Sequence, residues 1–150
     1  MGGGISNAFR VALCKRIFKK CGRIRTINRK ANFGSGRNLE IGDESGLGAR
    51  VVIPSDTIIG NHVMIANDVY ILHNNHRFDR IDIPINDQGF KPNLQTIIED
   101  DCWIGTKVVF TPGRHVSKGS IVAIAAVLTK DFPAYSIVGG NPAKLIKSRI

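Results

Sequence analysis

The sequence predicts an all-β solenoid, a triangular prism of stacked parallel coils, on three observations. A large apolar residue recurs every six positions over most of the chain. A small or β-branched residue follows it four positions later. The surplus positive charge is confined to residues 1–39, at the start of the chain. A length of 150 residues makes one domain the default, and 43% hydrophobic against 22% charged residues is ordinary globular composition.

The repeat sets the architecture. Ile41, Leu47, Ile53, Ile59, Ile65 and Ile71 are spaced by six without a miss. Four places after them stand Ser45, Val51, Thr57, Val63, Val69 and Asn75. Gly42, Gly48, Gly60 and Ala66 directly follow an inward aliphatic. The frame then breaks and resumes at Ile98, Ile104, Phe110, Val116, Val122 and Leu128. A period of six is too long for alternation within one strand and does not match a helical turn. It fits a short strand plus a corner. Three such units close a triangular coil, and stacked coils bury a continuous core. Ile27 and Phe33 form an earlier pair, offset by two extra residues near Leu39 and Glu40, and residues 92–97 are an imperfect unit. The count is fifteen units, or about five coils. At a strand spacing of about 4.8 Å the prism is about 24 Å tall.

Ahead of the repeat, residues 1–26 read as a basic amphipathic N-terminal segment with its helix over 6–21. Leu13, Cys14, Ile17, Phe18 and Cys21 share one side, and Lys15, Arg16, Lys19 and Lys20 take the other. Residues 1–39 hold ten Lys or Arg and no acid, whereas the rest of the chain nets −1. The basicity therefore belongs to one segment, which argues against a nucleic-acid-binding face on the prism. Two readings of the helix compete. Its apolar side docks on the first coil, or residues 5–25 lie on an anionic membrane, where each Lys or Arg contributes about 1 kcal/mol.

The repeat occupies residues 27–140 and is interrupted at 77–91, where RFDRIDIPINDQGFK has no six-residue frame. A regular solenoid that extrudes one such loop usually does so for function. In residues 141–150, Asn141-Pro142 reads as the start of a short basic C-terminal helix that covers the open end.

No apolar run approaches the ~20 residues of a transmembrane helix. The opening MGGGISNAF has neither the apolar core nor the cleavage site of a signal peptide. A cytoplasmic protein is expected, at the inner face of the cell membrane if the helix meets lipid. Cys14, Cys21 and Cys102 are odd in number and lack metal-ligand spacing. Their ordinary role is small apolar filler in a reducing compartment.

Three stretches go beyond the period. They are YILHNNHRFDR (70–80), DDCWIGTKVVFTPG (100–113) and VLTKDFPAYSIVGGNPAK (127–144). With the hexads, they resemble the hexapeptide-repeat acyltransferases, in particular the O-acetyltransferases of sugars and polysaccharides and the streptogramin acetyltransferases. The resemblance covers residues 25–150. It implies a left-handed parallel β-helix and a homotrimer with active sites shared between neighbours. It also implies acetyl-CoA as co-substrate, no metal, and a sugar or polysaccharide-precursor acceptor in surface polysaccharide biosynthesis.

Acyl transfer from a thioester to a hydroxyl needs a base, an oxyanion donor and alignment of the two substrates. The resemblance places the family's catalytic histidine on His76, and an imidazole with an ordinary pKa of about 6.5 suits the task. His73 is a candidate for acceptor contact. His62 and His115 sit within hexads and read as surface residues of the coils. Asp68 matches the position where sugar acetyltransferases carry an acceptor-binding Asn. A carboxylate accepts hydrogen bonds but cannot donate as an amide does, which leaves the acceptor open. Asn74 and Asp79 are candidates to orient His76, and Trp103 offers a flat face near the acyl channel or a trimer seam. On the donor side the matched positions are Gly105, Thr106, Ile124, Thr129 and Lys130 along the pantetheine track. Lys144 and Lys147 match basic residues near the CoA phosphates, where lysine is a reasonable partner.

Two residues depart from the pattern. Ile124 is bulky where the family has a small residue, which narrows the expected donor track. Arg114 puts a charge at a nominally inward position, so either the coil is distorted there or the side chain reaches an end or an interface. Three other readings stand beside the sugar O-acetyltransferase. The histidine segment and GGNPA fit a streptogramin-type enzyme, although its loop is longer. A zinc lyase on the same fold needs a His-x4-His pair that the His73–His76 spacing does not supply. Ile124 is the feature that favours an inactive scaffold.

Overall fold

The computed structural model describes residues 4–150. The first three residues of the segment assigned to 1–26 therefore lie outside the described residues. One helix, α1 (Gly4–Ile17), leads into fifteen short strands among the described residues. In chain order these are β1 (Lys20–Cys21), β2 (Thr26–Ile27), β3 (Glu40–Ile41), β4 (Gly46–Leu47) and β5 (Ile58–Ile59). They continue as β6 (Met64–Ile65), β7 (Tyr70–Ile71), β8 (Ile97–Ile98), β9 (Trp103–Ile104) and β10 (Val109–Phe110). The last are β11 (His115–Val116), β12 (Ile121–Val122), β13 (Val127–Leu128), β14 (Ser136–Gly139) and β15 (Lys144–Ser148).

Successive hexads take the three faces in turn, most contributing a two-residue strand and those at Asn32 and Val52 a single bridge, so every third hexad stacks on the same face. The first face is β1-β3-β5-β8-β11 and the second is β2-β4-β6-β9-β12-β14, with β15 added at its end. The third is β7-β10-β13, continued downward by bridges from Tyr70 to Val52 and from Val52 to Asn32. All pairings are parallel and in register except β14 with β15. The stack is taller than the sequence count. The second face carries seven strands, and the first coil begins at Cys21, which takes the inward slot beside Ile41.

The two repeated positions of the hexad build the core. Ile41, Leu47, Ile98, Ile104 and Phe110 are fully buried, as are Val51, Val63, Val69, Val108 and Ala126 four places after an inward residue. Ser45 shows how a polar residue fits the second slot. Its Oγ donates to the Gly60 carbonyl at 2.7 Å and accepts the Val63 N–H at 2.9 Å.

The corners need positive φ. Glu44, His62 and Asp101 stand near +57° at the corner between the first and second faces, and Arg50, Asp68, Lys107 and Ala125 near +58° at the next. A non-glycine residue in that region costs about 1–2 kcal/mol. Coil-to-coil hydrogen bonds offset it: His62 N–H to Asp43 C=O, Asp68 N–H to Ala49 C=O and Ala125 N–H to Thr106 C=O, at 2.8–2.9 Å. Side-chain oxygens extend the ladder, with Asp43 Oδ1 accepting from Arg23 N, Asn61 Oδ1 from Asp43 N and Asp100 Oδ1 from Asn61 N.

Three expectations need correction. The helix stops at Ile17, because Lys20–Cys21 joins the first face. Its buried side is Cys14 and Phe18, while Leu13 and Ile17 point to solvent. Phe18 packs edge-on against Phe33 at 4.9 Å beside Gly36, filling the corner where two extra residues enter. The C-terminal segment is not a helix. After Gly140 (φ +99°) the chain reverses and Lys144–Ser148 pairs antiparallel on β14, so the backbone of this end is satisfied by a sheet. Arg114 does not distort its coil. His115–Val116 stays in register with Ile97–Ile98, and the guanidinium reaches the Thr129 carbonyl at 3.0 Å and Asp131 at 3.4 Å.

Ile104→Ala empties a fully buried slot and is expected to cost about 2–5 kcal/mol in urea unfolding. Gly48→Ala adds a methyl that falls on the backbone of Ala66, which cannot rotate away; it is expected to cost about 1–3 kcal/mol. An unchanged midpoint for Gly48→Ala would contradict the corner packing described here.

Candidate active site

The extruded loop leaves the third face just after β7. Leu72 still donates to the Phe110 carbonyl at 3.1 Å, and then the chain peels away. Its two legs pair with each other. Lys91 N–H donates to Asn75 C=O at 2.8 Å, Arg77 N–H donates to Gly89 C=O at 3.0 Å, and His76 bridges Phe90 in antiparallel fashion. Gly89 at φ +75° bends the returning leg. Inside the loop Gln88 accepts from Arg80 N and donates to the carbonyls of Arg80 and Ile83, above a short turn at Ile85–Asp87. The loop is thus a folded hairpin rather than a free ribbon.

His76 sits at the base of this hairpin. Its ring packs on Phe90, centroids 4.4 Å apart and planes inclined by 34°. The residue remains exposed. Asp79 does not touch His76; it is drawn to Arg77 at 3.3 Å and Lys91 at 3.8 Å, with the Lys91 ammonium 3.9 Å from the Phe78 ring centroid. Asn74 is exposed on the outgoing leg. His73 turns to the prism instead: its Nε2 is 3.7 Å from Asp56 Oδ1, a buried oxygen with no hydrogen bond.

Asp68 occupies the left-handed corner position one coil above Arg50. The Arg50 guanidinium forks onto both carboxylate oxygens at 2.6 and 2.8 Å. That hydrogen-bonded fork holds the Asp68 carboxyl below the usual carboxylate range and raises the Arg50 guanidinium. Both oxygens that were expected to face an acceptor are engaged.

The donor-side residues run along the edge between the second and third faces. Thr106 and Ile124 take the same corner position on successive coils, and Ala125 N–H donates to the Thr106 carbonyl. Gly105 lets these coils nest, since a Cβ there would stand 2.7 Å from the Ile124 nitrogen. Ile124 is 68% exposed on this edge and leaves the core untouched. Thr129 and Lys130 follow β13 at the next corner, the Lys130 ammonium 5.4 Å from the Phe132 ring. Lys144 and Lys147 lie exposed on β15.

Trp103 belongs to a different face from His76. It projects from the second face beside Met64, over an open groove of about 470 Å³ that also includes His62, Gly46 and Glu44. One chain therefore spreads the expected site over a loop, an edge and a face. Phe90 and the returning leg of the loop were missed by sequence reasoning; the Gly89-Phe90 pair ahead of the resumed frame was the available signal. The remaining histidines have other partners. His62 is a corner residue, and His115 Nε2 lies 2.7 Å from Glu99, whose carboxyl is held low first by the Lys118 N–H and then by His115. Among the described residues no three His, Cys, Asp or Glu side chains gather as a metal site.

No protein-family model matches the chain. Comparison with known proteins nevertheless finds one consistent group. A protein of Mycobacterium tuberculosis named as a probable acetyltransferase is 39% identical over 122 residues, 80% of this chain and 39% of that one. A chloramphenicol acetyltransferase of Agrobacterium fabrum is 44% identical over 61 residues, 41% of this chain and 29% of that one. A galactoside O-acetyltransferase of Lactococcus lactis is 29% identical over 142 residues, 92% of this chain and 66% of that one. The chain thus spans less than two thirds of the length of these curated relatives. Among solved structures, a hexapeptide-repeat acetyltransferase of Vibrio cholerae complexed with acetyl-CoA superposes with a TM-score of 0.81. It is 29% identical, and the match covers 94% of this chain and 76% of that one.

The Arg50–Asp68 fork yields a pH signature. A depressed folded-state pKa stabilises above the unfolded value of about 3.9 and is lost as pH falls through the depressed value. Arg50→Met is therefore expected to unfold at lower denaturant than the parent at neutral pH. The difference should shrink as the pH drops below about 4. A gap that stays constant in denaturation curves down to acid pH would remove the charge pairing as its cause.

Proposed function

We propose that this chain, 29% identical to a galactoside O-acetyltransferase and superposable on a hexapeptide-repeat acetyltransferase, is an acetyl-CoA-dependent O-acetyltransferase acting on a sugar hydroxyl, with His76 as general base. The observation that carries this reading is the state of His76: an exposed imidazole with one ring face seated on Phe90, at the root of a hairpin stapled by its own backbone. A base must be held in place yet reach an acceptor, and this arrangement supplies both.

In the proposed reaction His76 accepts the proton of the acceptor hydroxyl as its oxygen attacks the thioester carbonyl. A backbone N–H near Thr106 stabilises the resulting oxyanion. The intermediate collapses with loss of the CoA thiolate, which takes the proton back from the imidazolium. The pantetheine runs along the Gly105, Thr106 and Ile124 edge toward Thr129 and Lys130, and Lys144 and Lys147 meet the CoA phosphates. The prisms assemble as a homotrimer, so that the loop of one chain faces the Trp103 groove or the donor edge of a neighbour. That assembly answers the separation of His76 from Trp103 within one chain. The acceptor is a precursor in surface polysaccharide synthesis.

A second reading is an antibiotic acetyltransferase. The chloramphenicol acetyltransferase match supports it, and so do Phe78, Ile81, Ile85 and Phe90, four large apolar side chains exposed on the loop among its charged ones. The engaged carboxylate of Asp68 also suits an acceptor that does not call on it.

Isothermal titration with acetyl-CoA, followed by turnover on a panel of galactosides, maltose and chloramphenicol, tests both readings. His76→Ala is expected to keep acetyl-CoA binding and to lose about 10²–10⁴-fold in kcat. Equal turnover by this variant would overturn the assignment of the base. Ile124→Ala is expected to tighten acetyl-CoA binding by opening the edge; an absence of binding by both forms would leave an inactive scaffold.

A further inference from the structure

The outward side of α1 is an apolar stripe that no described part of the chain covers. Ile5, Phe9, Leu13 and Ile17 are exposed by 91%, 65%, 45% and 41%, and their four-residue spacing puts them along one side of the helix. Ala8 and Ala12 are exposed beside them. The opposite side is fixed to the first coil. Asn7 Oδ1 accepts the Ile27 N–H at 2.9 Å, Asn7 Nδ2 donates to the Arg25 carbonyl at 3.0 Å, and Arg10 Nε donates to the Ile27 carbonyl at 2.6 Å. These bonds to Arg25 and β2, with Cys14 and Phe18 buried, set the rotation of the helix and aim the stripe away from the prism.

The charge around the stripe has one sign. Lys15 and Arg16 close the last turn of α1, and Lys20, Arg29, Lys30 and Arg37 follow around the first coil, all exposed. Among the described residues none of these six forms a close ion pair with a carboxylate, and Lys20 acts on Glu40 only at longer range. The acids of the second coil are taken by Lys19, Arg23 and Arg25 instead. The end of the prism is therefore an apolar ridge set in cations, with no acid before Glu40.

We propose that this end of the prism is a docking surface for an anionic lipid bilayer. Ile5, Phe9 and Leu13 enter the boundary between headgroups and acyl chains, and the surrounding Lys and Arg meet the anionic headgroups. Nucleic acid would use the cations but offer the apolar ridge nothing. A second copy packed face to face would bring two rings of like charge together. A bilayer satisfies both halves of the surface. On the trimer reading above, three parallel prisms present three such ends to one plane, which multiplies a weak single contact.

The test is co-sedimentation of the intact chain with vesicles of equal parts phosphatidylglycerol and phosphatidylcholine, beside vesicles of phosphatidylcholine alone. It does not depend on catalysis, so an inactive enzyme can still bind and an active one can still fail to bind. The parent is expected to sediment with the anionic vesicles and to be released by raised salt. Lys15→Ser and Arg16→Ser should each weaken partitioning about fivefold. Phe9→Ser with Leu13→Ser should abolish it while circular dichroism stays unchanged, since both side chains are exposed. Three outcomes overturn the proposal. They are equal sedimentation with both vesicle types, undiminished binding by the Phe9 and Leu13 double variant, or a double variant that alters only the oligomer mass, which would assign the stripe to a second copy.

Discussion

The corner governs this fold. A coil of three two-residue strands has almost no regular structure of its own, so stability must come from coil lying on coil. That requires the backbone to turn sharply at the same height on every layer. The turn is made by residues held at positive φ, and most of them are not glycine: Glu44, Arg50, His62, Asp68, Asp101, Lys107 and Ala125. Each such residue is costly in isolation. The cost is met because each turn donates its N–H to the turn below and buries the residue that follows it: Ser45, Val51, Val63, Val69, Cys102, Val108 or Ala126. Where the layers approach most closely, glycine is needed for space rather than for φ, as at Gly48 and Gly105.

This constraint explains what could be read in the sequence. The inward Ile, Leu, Val and Phe and the small second slot each repeat at six, so the period exposes the prism, its core and the interruption at residue 77. The ends were harder. Cys21 occupies an inward slot but has the spacing of the last residue of an amphipathic helix, so the hexad period alone starts the first coil too late. Leu13 and Ile17 share a helical period with Cys14 and Phe18, yet only the latter pair meets the coil. Asn141-Pro142 has the chemistry of a helix start, whereas Gly140 before it permits a reversal onto β14, and the sheet offers more backbone partners than a free helix.

The site was legible only in part. His76 could be found because it ends a hexad and precedes the loop. Its seat on Phe90 could not, because the two are fourteen residues apart in a segment without a period. Asp68 was read by position, but the side chain that decides its chemistry is Arg50, a coil away. Pairings between coils recur at about eighteen residues here, and the Arg50–Asp68 fork follows that spacing. Charges on a solenoid are best sought at the length of a coil rather than along the strand.

A stack of identical coils has no natural height, and each terminal layer is an open row of N–H and C=O groups that another chain could extend. On the second face the stack ends with β15, a strand running the wrong way for a further parallel coil. Lys144, Lys147 and Arg149 add charge to that rim. The reversal after Gly140 therefore acts as a stop signal. It denies the next parallel strand an edge on which to add.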